Sequence, residues 1–127
     1  MHAFETTVAA DFATTEAAVR AALGAQGFGV VSEIDVSANL KNAVGFERPP
    51  LKILGACSPT LAHEALELDP AIALLLPCNV VLEADGTGTR VRIVDPRDLI
   101  DDPRFAALVD DAATRLQAAA DALAAQS

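Results

Sequence analysis

The chain predicts an α+β domain, a two-layer sandwich in the order βαββαββα, and three observations carry that prediction. Apolar and polar residues alternate in several short stretches, the period of a half-buried strand. Between them lie segments with apolar residues at helical spacing, opened by a capping residue or a proline. Two strand segments are joined by "DGTG", a hairpin link that forces antiparallel pairing. Helices with one apolar stripe must then cover a single face of the sheet.

Taken in order, "FETTV" at residues 4–8 reads as a short strand rich in β-formers. From Thr14 or Thr15, "TEAAVRAALGAQG" reads as a helix with Val19 and Leu23 one turn apart and Gly27 as its stop. "FGVVSEIDV" alternates: Phe28, Val30, Ile34 and Val36 face one way, and Val31, Glu33 and Asp35 the other. Residues 37–50 read least clearly, as a short helical turn and then an extended loop ending at Pro49-Pro50. "LKILGAC" is the next strand, with Leu51, Ile53, Gly55 and Cys57 on one face. Ser58 offers an N-cap and Pro59 the favoured first position of a helix with Leu61, Ala65 and Leu68 as its stripe, ending before Pro70. After the hairpin strands, Asp102-Pro103 repeats that start for a last helix. Its stripe is Phe105, Val109, Ala112, Leu116, Ala119 and Leu123.

Bulk properties bound the function. The 127 residues suit one domain spanning 1–127, and 52% hydrophobic content supplies its core. No apolar run approaches the roughly 18 residues of a membrane span, and "AIALLLP" stops at Pro77. The amino-terminal residues lack a basic start and include Glu5, so no signal peptide is expected. With two cysteines and no secretory signal, the expectation is a soluble cytoplasmic protein with reduced thiols and no membrane partner. Eighteen acids against nine bases give a net charge of −9, and the bases never form a run. Nucleic-acid binding needs gathered cations and often aromatic platforms, so no nucleic-acid partner is expected of a chain without Trp or Tyr.

Chemistry concentrates at two cysteines. Cys57 ends one strand and Cys78 opens the next, with the Ser58 helix between them, so a crossover of this length can return the second thiol beside the first. Alternation puts Cys57 with Leu51 and Ile53, and Cys78 with Val80 and Leu82, and both sets read as core faces. Cys57 also precedes a helix N-terminus, whose free N–H groups favour a thiolate. Ser58 can bond the same N–H groups, and His63 lies on the first turns of that helix. Against this stands the plain reading of both cysteines as small buried hydrophobes. No metal site is expected, because the spacing matches no zinc pattern and a metal needs more ligands. The amide of Asn79 bonds a ligand or merely finishes the loop. Glu33 with Asp35, and Arg90 with Arg92, share strand faces and read as cross-strand ion pairs ahead of acid–base chemistry. The ligand-site candidates are thus Cys57, Ser58, Cys78, Asn79, Glu33 and His63.

"GFGVVSEIDV", "LKILGACSPTLAHEAL" and "LLLPCNVVL" together resemble the domain of unknown function 302 family of bacteria and archaea, over about residues 4–120. The motifs "GACSP" and "LPCNV" carry the resemblance through Cys57, Pro59, Pro77, Cys78 and Asn79, with Glu33 and Asp35 contributing less. Ser58 stands where relatives often have Asn, a departure that keeps the cap. The resemblance implies a curved antiparallel sheet, a homodimer and no settled activity or cofactor.

Two functions follow. The first is a non-enzymatic module, binding a small molecule or a second copy of itself, with its site near Cys57 and Cys78. The second is a thiol-dependent enzyme or a redox or metal sensor using Cys57 with Cys78 as partner. A sheet face carrying Val31, Val81 and Val94 beside charges suits symmetric pairing and adds to the expectation of a homodimer.

Overall fold

A computed structural model describes residues 2–126. Its strands are β1 (Ala3–Val8), β2 (Gly29–Asp35), β3 (Leu51–Cys57), β4 (Cys78–Asp85) and β5 (Gly88–Val94). Its α-helices are α1 (Phe12–Ala25), α2 (Val36–Val44), α3 (Pro59–Leu68) and α4 (Ala106–Ala124). Short 3₁₀ turns occupy Pro70–Leu75, Pro96–Asp98 and Pro103–Phe105. The strands form one sheet in the order β1-β5-β4-β3-β2, antiparallel at every pairing. The fold is α+β, and among the described residues no helix is long and apolar enough to cross a membrane.

Local chemistry sets most of the boundaries. Asp11 caps α1 through the Thr14 N–H at 2.7 Å, so that helix starts at Phe12, ahead of the expected Thr14 or Thr15. It closes at Gly27, whose φ of 82° suits a residue without a Cβ. Gly86, at φ 63°, turns the β4–β5 hairpin. Aspartate followed by proline opens each 3₁₀ turn, with Asp69, Asp95 and Asp102 accepting backbone N–H groups. The Asp102-Pro103 pair therefore starts a turn, and α4 proper begins at Ala106.

Register decides which face is the core. Phe4, Ile93, Val80 and Leu54 form one row across four strands, and the row Val91–Leu82 runs beside it. Helices α1 and α4 cover these rows. Leu23, Leu54, Leu82, Ile93, Leu116 and Leu123 all have 0% exposure. Each such side chain contributes on the order of 1.5–3 kcal/mol on burial. Ala22, Ala119 and Ala120 let the helices approach closely.

Three readings of the sequence need correction. Strand β2 carries a bulge between Val30 and Ser32. The extra residue reverses the alternation, so Phe28 and Val30 pack inward while Ile34 is 46% exposed on the far face. Residues 36–44 form α2, held by the Asp35 cap and the left-handed Gly45, with no buried residue. Leu68 leaves the α3 stripe at 47% exposure, and Ala62 stands half-buried on the inner side instead.

Candidate functional site

The end of the sheet where β3 finishes and β4 starts is closed by α3, the three 3₁₀ turns and the first turn of α4. A second, smaller core lies there: Ala65, Ile72, Phe105 and Val109, with Leu76, Ile100 and Leu108 packed against it. It does not merge with the main core. Between the two lies a cavity of about 60 Å³, walled by all seven of those residues and by Phe28, Ala56 and Cys78 from the other side. Cys57, Ser58, Leu61, Ala62, Pro96 and Ala112 complete the lining. No charged side chain reaches it.

The crossover brings both cysteines to this end, because Ala56 is the register partner of Cys78. They do not share a face. Cys78 lies in a row with Ala56 and Val30, on the core side. Cys57 pairs with Gly29 and belongs to the row series of Gly55 and Ile53, on the opposite side. The expectation that both sit on the core face is therefore corrected at Cys57. Strand β3 is apolar on both faces, so alternation alone could not choose between Ile53 and Leu54. Cys57 meets the cavity where the chain leaves the sheet for α3.

Both thiols are free. Burial, and then the neighbouring Cys57, push the Cys78 thiol up to about 11, so it remains protonated at neutral pH. Ser58 is buried, and its Oγ accepts the Leu61 N–H at 3.4 Å as the α3 cap. Among the described residues no buried side-chain nitrogen or oxygen lacks a hydrogen-bond partner.

The other three candidates lie elsewhere. Asn79 is exposed on the far face opposite Gly55, where Ser32 and Pro77 pack so closely that a Cβ would be 2.6 Å from Pro77 Cγ. Glu33 binds Lys52 at 2.6 Å and Arg20 at 3.0 Å; both bases also hold Glu16, so this cluster ties α1 to β2 and β3. His63 is exposed on the outer side of α3, in an open groove with Glu64, Glu67 and Arg104. Asp35 caps α2, and Arg92 pairs with Glu5 and Glu83. Of the six candidates, Cys57, Ser58 and Cys78 meet at one cavity.

Sequence reasoning missed part of the wall: Ile72, Leu76, Pro96, Ile100 and Leu108. The available signal was the aspartate–proline start at Asp69-Pro70 and Asp95-Pro96, the same rule that places the starts at Ser58-Pro59 and Asp102-Pro103. Among the described residues no group of three or more His, Cys, Asp and Glu side chains is placed to hold a metal ion.

The family model described as Domain of unknown function DUF302 matches residues 4–123. The chain is also similar to a solved structure, the crystal structure of an uncharacterized conserved protein DUF302 from Bacillus stearothermophilus. Identity is 25%, the match covers 94% of this chain and 98% of that one, and the TM-score is 0.82. No curated protein matches the chain.

Proposed function

This chain belongs to the DUF302 family, whose description names no activity, and on that premise we propose a binding module whose cavity takes a small, uncharged, apolar molecule. One observation carries the reading. The gap between the two cores is walled by aliphatic and aromatic side chains, and only Cys57, Ser58 and Cys78 add polar atoms. Small-molecule sites have this composition. Size narrows the occupant. A cavity of about 150 Å³ accepts benzene, and drug-sized ligands need about 300 Å³ or more. At about 60 Å³ this one takes a very small molecule, or a larger one that displaces the 3₁₀ turn at Pro70–Leu75. Thiol chemistry draws less support. Burial and the neighbouring Cys57 push the Cys78 thiol up to about 11, so it stays protonated at neutral pH and is a slow resolving partner for Cys57. We place the module in the cytoplasm, where two unpaired thiols stay reduced.

Native mass spectrometry of the purified protein and NMR under xenon pressure test the reading. Expected are a co-purified small hydrophobe or xenon-induced shifts confined to residues such as Ala65, Leu76 and Cys78. A clean apo mass together with no xenon shift at those residues would sink it.

A further inference from the structure

We propose that the ligand of the cavity carries one hydrogen-bond acceptor, a carbonyl oxygen, and that the Ser58 hydroxyl selects it. The inference rests on the binding reading above and narrows its ligand to a short ketone or aldehyde. Polar side-chain groups on the lining are few and of one kind. Only Cys57, Ser58 and Cys78 supply them, and no Asp, Glu, Asn, Gln or His side chain takes part. Ser58 brings an O–H, and burial keeps the Cys78 thiol protonated. The Ser58 Oγ accepts the Leu61 N–H at a long 3.4 Å, which is all that a helix cap asks of it. Among the described residues its own proton reaches no acceptor, and neither does that of Cys78. The proton of Ser58 is the group that the fold leaves unused.

The surroundings of that proton favour an electron-rich atom. Ser58 is the cap of the ten-residue α3, so the partial positive charge of the helix N-terminus lies at the same corner. The Ser58 carbonyl, which could have served as an acceptor, is taken by the Ala62 N–H at 2.8 Å. An anion does not fit. No cationic side chain lines the cavity, and a carboxylate shut in with Ile72, Leu76 and Phe105 would lose its water without gaining a counter-ion.

Among neutral ligands of one shape, proton counting sets the order. An alcohol makes one O···O contact with Ser58 and uses one proton, its own or that of Ser58. The other proton stays buried without an acceptor, which lowers the affinity. A hydrocarbon leaves the Ser58 proton as it was. A carbonyl oxygen takes that proton and brings none of its own, so it alone leaves nothing unpaired. Volume limits the rest of the ligand: about 60 Å³ suits only a few carbon atoms around the carbonyl.

Acetone and isopropanol share one heavy-atom skeleton and separate the two hydrogen-bonding roles, while xenon reports on the cavity itself. Each is titrated into the full chain, wild type and Ser58→Gly, with the amide shifts of Ala65, Leu76 and Cys78 as the readout. Glycine removes the hydroxyl and is tolerated as an N-cap. Wild type should bind acetone about tenfold more tightly than isopropanol, and Ser58→Gly should bind the two within about twofold of each other. Xenon shifts should persist in both proteins. The carbonyl carbon resonance of bound, labelled acetone should lie further downfield in wild type than in Ser58→Gly, a difference that loss of a cap does not produce. Should Ser58→Gly fail to fold, the wild-type preference alone decides. Equal affinities for acetone and isopropanol in wild type, or a preference that survives Ser58→Gly, would overturn the proposal and, with xenon shifts present, leave the cavity reading standing. No shift with xenon or with either solvent would overturn both.

Discussion

The two cores of this protein are built from the same residue types and differ in closure. In the main core, between the sheet and helices α1 and α4, six leucine and isoleucine side chains are 0% exposed and the helix faces are alanine-rich. In the smaller core at the cysteine end the four buried residues keep 4–8% exposure and leave a cavity beside them. The main core is bounded by long regular elements that pack along their whole length. The smaller one is bounded by a ten-residue helix and three 3₁₀ turns, whose ends cannot all meet. Regular elements make stability here; short capped turns make space.

Truncation gives the largest contrast. Leu54→Ala or Leu116→Ala should cost about 2–5 kcal/mol, because tight packing leaves the new hole unrelaxed. Leu108→Ala should cost about 1–2 kcal/mol, since that half-buried side chain already borders a void. Urea midpoints of the three variants decide it. Equal losses would mean that the two cores are one packing unit.

Filling reverses the sign. Ala65→Val adds two methyl groups beside the cavity and should stabilise by about 0.5 kcal/mol after its helix-propensity cost. Ala119→Val, at 0% exposure between α4 and the sheet, should destabilise by about 1–3 kcal/mol. Two destabilising valines would mean the cavity wall is as rigid as the main core.

How far the site was legible from sequence follows the same division. Strand β3 was readable to the residue, as were the Gly86 hairpin and the α4 stripe, because each depends on local periodicity or one turn residue. The face of Cys57 was not, because Leu51 and Ile53 on one side and Leu54 and Ala56 on the other are equally apolar. Only pairing with β4 breaks that tie. The bulge at Val31 was silent, since an extra residue in an edge strand leaves the apolar count unchanged. The cavity was hidden for a third reason: its wall is assembled from turns far apart in the chain.

The cysteines sharpen the contrast residue by residue. Cys78 lies on the core face, and a serine there buries a hydroxyl without an assured partner, at a cost of about 1–2 kcal/mol. Cys57→Ser, at the strand end and half-buried, should cost about 0.5 kcal/mol or less. Iodoacetamide at pH 8 should modify Cys57 well before Cys78, whose thiol stays protonated there. Equal rates with equal losses would reduce both residues to core filler.

Acid should separate the two regions by the smallest effect. Asp69, Asp95 and Asp102 cap the three turns around the cavity. Each carboxyl is held below its ordinary value of 3.8: Asp69 by the Ala71 N–H and then Arg104, Asp95 by Arg97, and Asp102 by Arg104. A lowered folded-state value means that the unfolded chain binds protons first. The contribution is therefore full above pH 3.8 and is lost as pH falls through the lower folded values. Glu16 and Glu83, lowered from 4.5 by Lys52 and Arg92, obey the same sign, but they bridge elements that the main core already holds. Between about pH 7 and 5 the order of amide opening should not change. Below about pH 4, after correction for intrinsic exchange, residues 71–75 and 97–102 should lose protection before Leu54 and Val80. If the β3 and β4 amides open at the same pH as Ile72, the cavity end is not the weaker region, and room for a ligand there would have to come from global unfolding.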